Sequence, residues 1–200
     1  VDPFLLAANH TEDAVIAYHA ALQFHGRVYS PWHRYQVLTA LRSKSWSWRG
    51  IEVVPVQVDR ETGMLPDWGG GIKTVRHAGG TLRVTTFERT LVDLMDQPDK
   101  GGDWEEIWRS LEMVEFFDLD EVVALALRIG SALTVARVGF FLEQHREELL
   151  VEEVHLAALA ERIPHGPTYL DARRAPGRLV PRWNLVVPDS LLHRTWEEPG

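Results

Sequence analysis

The chain reads as an α+β protein: a small mixed β-sheet lobe, a helical block packed with it, and one strand returning near the C-terminal end. Three observations predict this class. Runs rich in β-branched residues cluster in the first half, at 35–41 and 51–58. Helical spacing dominates from Thr85 to about residue 162, and strand character reappears at 178–187. Strands followed by helices, without a repeating βαβ alternation, make the α+β pattern. On this basis residues 1–102 form a sheet-and-helix lobe, 103–163 the helical block, and 164–200 the returning strand and tail.

The elements follow in order. Asn9 with Glu12 three residues on is a capping-box pattern, and Gly26 is a stop signal, predicting a helix over 9–26 with Val15, Tyr18, Ala21, Leu22 and His25 at helical spacing. The strands 35–41 and 51–58 come next, then a turn rich in Asp, Gly and Pro over 59–71. Residues 72–77 and 81–85 pair as a hairpin across Ala78-Gly79-Gly80. Thr85 and Glu88 predict a second capping box, with Leu91, Leu94 and Met95 on one face of the helix that follows. Beyond the linker QPDKGG, helices are expected over 104–116, 119–129, 133–148 and 152–162. Pro164, Gly166 and Pro167 end that block.

Composition narrows the function. The 45% hydrophobic and 25% charged content is that of an ordinary globular protein. No apolar run approaches the roughly 20 residues that span a bilayer, and the first residues lack the basic start of a secretory signal. The absence of cysteine removes disulfides, thiolate metal sites and Cys nucleophiles together, and suits the cytoplasm. The net charge of −8 is uneven: residues 1–102 balance to zero, 103–161 carry −10, and the remainder +2. A block of −10 repels phosphate, so nucleic-acid contact is expected elsewhere.

Catalytic patterns are scarce. His19 and His25 stand six apart and face different sides of one helix. There is no His-Glu-x-x-His, no Ca²⁺-loop spacing, no G-x-S-x-G elbow and no phosphate-binding G-x-x-x-x-G-K-[ST]. A metal-dependent nuclease, the main enzymatic alternative, needs converging carboxylates; Glu52 and Asp59 lack a following Lys, and Glu88 and Asp93 do not share a helical face. No cofactor and no metal ligand set is expected. Binding surfaces are easier to nominate. Arg42, Lys44, Trp46, Trp48 and Arg49 form the best basic-aromatic patch, fit for a partner or, in a third alternative, for DNA. Glu147, Glu148, Glu152 and Glu153 offer an acidic face to a basic protein partner.

Five stretches taken in order resemble one family: DPFLLAA at the start, AVIAYHAALQFHG at 14–26, LRVTTFERTLVDLMDQPDKGG at 82–102, VGFFLEQH at 138–145, and TYLDARR with RWNLVVP near the end. They are similar to the C-terminal domain of AbiEi-family antitoxins, the transcriptional-regulator half of type IV toxin–antitoxin pairs, over nearly the whole chain. The resemblance implies a non-enzymatic bacterial protein that counteracts a nucleotidyltransferase-like toxin, directly or functionally. It also implies repression of its own promoter through an N-terminal winged helix-turn-helix, expected upstream of these 200 residues. Its signature positions here are Tyr18, His19, His25, Thr86, Glu88, Arg89, Thr90 and Asp93. Their residue types suggest structure more than contact: a threonine cap and an Arg89–Asp93 ion pair four residues apart, with Leu91 and Leu94 beside them for a core.

Overall fold

The computed structural model describes residues 1–196, and the chain forms two compact units, 1–117 and from Asp118 onward. The class is α+β, with two mixed sheets. The division falls at 117/118, so the first helix of the expected helical block belongs to the first unit.

In the first unit, α1 (Pro3–Ala8) starts on Asp2, whose Oδ1 accepts the Leu5 amide at 3.0 Å, with Pro3 at the first helical position. The helix expected over 9–26 does not form. Asn9 instead closes α1, its side-chain amide donating to the Leu5 carbonyl at 2.7 Å. Val15 and Ile16 are drawn into a two-residue strand, β1 (Val15–Ile16), and α2 (Tyr18–Phe24) begins only after it, with Tyr18 at φ +54°. A helix cannot run through residues already committed to a ladder.

Six strands make the larger sheet: β1, β2 (Arg34–Thr39), β3 (Trp46–Trp48), β4 (Ile51–Gln57), β5 (Ile72–His77) and β6 (Gly80–Thr85), in the order β3-β4-β2-β1-β6-β5. β1 runs antiparallel to β2 and parallel to β6. Alternation puts Ile16, Tyr35, Val37, Val53, Leu82 and Val84 in one apolar cluster, joined by Phe4, Leu5 and Ala7 of α1 and Ala20 and Ala21 of α2. A short helix, α3 (Arg60–Gly63), and a 3-10 turn at Pro66–Gly69 connect β4 to β5.

The next helix, α4 (Phe87–Asp96), is capped by Thr86, whose hydroxyl accepts the Arg89 amide at 3.2 Å. The cap is thus Thr86 rather than Thr85, and the residue three on is Arg89 in place of the glutamate the expected capping box requires. Thr85 is the last residue of β6, pairs with Ile72, and cannot cap. The unit closes with α5 (Trp104–Glu112), capped by Asp103.

In the second unit, α6 (Leu119–Ile129) is capped by Asp118 and α7 (Ala132–Gln144) by Ser131, and α8 (Glu153–Ala160) follows. The single returning strand expected over 178–187 is in fact a sheet of three, ordered β7-β9-β8: β7 (Thr168–Tyr169), β8 (Gly177–Val180) and β9 (Leu185–Pro188). Pro181 opens a 3-10 turn and Asn184 takes a left-handed φ of +50°, which folds the stretch back on itself as an antiparallel pair. The last helix is α9 (Asp189–His193). Among the described residues no helix is long and apolar enough to cross a membrane.

Candidate functional site

The eight signature positions come together around α2 and the start of α4, in the first unit. Arg89 is buried, and its Nε donates to Asp93 Oδ1 at 2.9 Å, the i,i+4 pair that the spacing suggested. Its Nη1 reaches the backbone of the β4–β5 connection, donating to the carbonyls of Trp68 at 2.8 Å and Gly70 at 2.6 Å. Five successive residues there, Asp67, Trp68, Gly69, Gly70 and Gly71, have positive φ. The three glycines take that conformation at little cost, whereas Asp67 and Trp68 do not. Arg89 is thus the side chain that fastens a left-handed loop to α4.

Asp93 is buried as well, and its Oδ2 has no hydrogen-bond partner. Burial pushes its carboxyl up to about 6, against the pull of Arg89. Tyr18 packs close by, and its phenol is raised by burial and then by the nearby Asp93 and Asp96. Thr90 back-bonds to the Thr86 carbonyl at 2.6 Å and shares a 2.8 Å hydroxyl contact with Thr85. His25 caps the end of α2 and donates from Nε2 to the Thr85 carbonyl at 2.9 Å, because a carbonyl can only accept. Burial lowers its pKa. Glu88 is half-buried in the first turn of α4.

His19 takes a different direction. It stacks flat on Trp32 at 3.6 Å and meets Glu106 Oε1 through Nε2 at 3.0 Å. Glu106 also accepts from the Ser30 amide at 3.0 Å and the Ser30 hydroxyl at 2.7 Å. The carboxylate sits between histidine and serine, so the serine is not activated by the imidazole, as a nucleophile of the Ser-His-acid type requires. His19 has its pKa lowered by burial, offset in part by Glu106. The arrangement pins the segment after α2 onto α5.

The basic-aromatic residues all fall on one exposed stretch. Every residue of 40–50 is exposed except Trp48, which is half-buried. β3 lies at the edge of the six-stranded sheet and pairs with β4 alone. Trp46 opposes Val53 and Trp48 opposes Ile51, so both indoles continue the apolar face of the sheet past its covered part. Arg49 and Gly50, both at positive φ, form the two-residue turn into β4, and the Arg49 guanidinium lies 4.9 Å from the Trp48 ring.

The four glutamates of the acidic set lie in the second unit, at the passage from α7 to α8, and all are exposed. They are not equivalent. Glu153 is held by Arg182 and by Arg146, the latter at 3.3 Å, and these partners keep its carboxyl below the usual range. Arg182 also contacts Glu143 at 3.1 Å, and Glu143 accepts from the Trp183 indole at 2.7 Å. Glu153 therefore belongs to an ion cluster that ties α8 to the small sheet. Glu148 pairs with Arg194 at 3.8 Å, Glu152 caps α8, and Glu147 is in no described ion pair; in the same stretch of chain two apolar side chains, Leu150 and Val154, are exposed.

Sequence reasoning missed the loop carbonyls that Arg89 binds, the Ser30–Glu106 partnership and the exposed Leu150. A Gly-Gly-Gly run at 69–71 was the available signal for the first; the other two depend on contacts far apart in sequence. Among the described residues no group of three or more His, Asp or Glu side chains is placed to hold a metal ion.

No family model matches the chain, and no curated protein matches it. Among solved structures, the crystal structure of the RV2827C protein from Mycobacterium tuberculosis is similar, with a TM-score of 0.59 and 18% identity over 93% of this chain and 68% of that one. At that identity the likeness shows a shared fold.

Proposed function

We propose that this chain is the antitoxin and regulator domain of a type IV toxin–antitoxin pair, a cytoplasmic, non-catalytic protein that counteracts a nucleotidyltransferase-like toxin. Autorepression through a winged helix upstream is the second half of the proposal. The supporting observation is the use to which the signature residues are put. Arg89, Asp93, Thr86, Thr90 and His25 bond within the protein, fastening α2, α4 and the 67–71 loop into one frame. Such a frame is what a binding scaffold needs, and it leaves recognition to exposed segments. The surface best suited to a basic toxin is the exposed stretch from α7 to α8 that carries Glu147, Glu148 and Glu152 together with the exposed apolar Leu150 and Val154.

Growth rescue tests the reading. The chain is co-expressed with the nucleotidyltransferase-like protein encoded beside it, as wild type and as the Glu147→Lys/Glu148→Lys/Glu152→Lys variant. Wild-type rescue that the charge-reversed variant loses is the expected result. A folded wild type that fails to rescue overturns the antitoxin assignment, and rescue by both removes the acidic stretch from it.

A further inference from the structure

Arg42, Lys44 and Arg49 form no ion pair with any described residue, and residues 40–50 contain no Asp or Glu. Four other cations of the first unit are matched, Arg34 to Glu52, Arg89 to Asp93, Lys100 to Asp99 and Arg109 to Glu105. Arg27, Arg60, Lys73, Arg76 and Arg83 also lack an ion pair with any described residue but are not gathered around exposed indoles in an acid-free stretch. In a chain of net charge −8, three unmatched cations within eight residues are a local reversal of field. They flank two indoles. Trp46 is 40% exposed. One face of Trp48 is covered by Arg49, which holds that guanidinium in place beside the strand.

We infer that edge strand β3 and the segment leading into it, with Trp46, Trp48, Arg42, Lys44 and Arg49, bind single-stranded nucleic acid. The chemistry on the surface is that of a stacking platform: an open indole for a base, and a row of cations that follows a phosphate backbone. A duplex keeps its bases stacked inside and offers Trp46 nothing to stack on. An acidic peptide would satisfy the cations but leave the indole unused, and a strand of three residues offers too few main-chain groups to hold a peptide by strand addition. The Arg34–Glu52 pair does not compete, because Glu52 opposes Ser47, whose side chain points away from the face that carries the two indoles. The inference is independent of the antitoxin proposal, since it uses none of the signature residues and none of the acidic residues of the second unit.

The test is fluorescence anisotropy of the full chain with a labelled 15-nucleotide oligothymidylate and the matching oligouridylate. A duplex of the same length and poly-glutamate serve as competitors. Binding to the single strands is expected, weakened about tenfold by Trp46→Ala and largely kept by Trp46→Phe. Arg42→Gln/Lys44→Gln/Arg49→Gln should flatten the dependence of log affinity on log salt by about 2, from roughly 0.7 for each cation removed. Unchanged melting temperatures establish that these exposed-site variants fold. Three results would each overturn the inference: no binding in 50 mM salt or less, competition by duplex equal to that by single strand with Trp46→Ala unchanged, or displacement by poly-glutamate as effective as by unlabelled oligothymidylate.

Discussion

Gly139 lies directly under the indole of Trp183: a Cβ built on the glycine would fall 2.2 Å from the ring's Cζ3. The ring has no room to retreat, because it is fully buried and its Nε1 is held by Glu143 Oε2 at 2.7 Å. Helix α7 and the turn before β9 are in contact here through the one side-chain size that permits it. Gly139→Ala should therefore destabilise the second unit by about 2 kcal/mol or more, as overpacking of a rigid core does. Gly166→Ala, at a position with nothing within 4 Å of the new methyl, should change stability by a few tenths at most. Urea unfolding of the two variants side by side decides it.

The Asp93 carboxyl gives the protein a pH dependence of known sign. Its folded pKa of about 6 lies above its ordinary value of 3.8, so the native state holds the proton more tightly than the unfolded chain. Its contribution is fully present below 3.8 and is lost as pH rises through 6. His19 and His25 run the other way. Burial lowers both, so their contribution is present above 6.5 and lost as pH falls. The groups facing Asp93 are Arg89, Asp96 and the Tyr18 phenol. Asp93→Asn removes the first titration and leaves the histidines, so the variant's urea midpoint should gain on wild type as pH is raised from 4 to 7. Parallel profiles would mean that Asp93 does not titrate in that range.

Glu106 carries more of the fold than its position in an acidic helix suggests. Replacing it with Ala strands the buried His19 imidazole and Ser110 hydroxyl and frees both donors of half-buried Ser30, which should cost about 3 kcal/mol. Trp32, stacked on His19, reports the change by fluorescence. Glu106→Gln keeps the shape and one acceptor and should recover part of the loss. Equal losses in the two variants would point to packing as the dominant contribution.

The acidic set divides by its partners. Charge reversal at Glu153 puts a cation against Arg182 and Arg146 and should lower the melting temperature. Reversal at Glu147, which takes part in no described ion pair, should leave it within about a degree, whereas reversal at Glu152 removes the N-cap of α8 and should lower it as well. A calorimetric scan of the three single variants separates the structural glutamates from Glu147. It also shows which reversals are clean enough for the rescue assay.

Local chemistry was legible where it was strong. The apolar face of α4, the β5–β6 hairpin and the Arg89–Asp93 pair all follow from spacing within a few residues, whereas the choice of Thr86 over Thr85 as the cap depends on where β6 ends. The misread helix at 9–26 shows the limit: Val15 and Ile16 fit a helical face as well as they fit a strand. What decides is pairing with Leu38 and Val37, more than twenty residues away. The same holds for the small sheet, since Thr168 and Tyr169 are too few to show any period and become a strand only beside Leu185 and Val186. The candidate surfaces were partly visible. Composition marked out Trp46 and its neighbours, but only the edge position of β3 shows that they remain open. Nothing local to Glu153 announces Arg182, 29 residues on.

The two-residue strand β1 is the seam of the larger sheet. On one side stands the block β3-β4-β2, with six aligned pairs between β2 and β4; on the other stands the β5–β6 hairpin, also with six. Between them lie two aligned pairs to β2 and one to β6. Each block is a cooperative plate, and the join is a stitch. Amide protons on β1 therefore have the shortest ladder to protect them, and an opening fluctuation of the sheet parts there before either plate frays. The frame around α2 and α4 bridges that join on the helical side: His25, capping the end of α2, is bonded to Thr85 at the end of β6, and Ala20 of α2 to Gln36 in β2. Its task is that of a splint across a fold line.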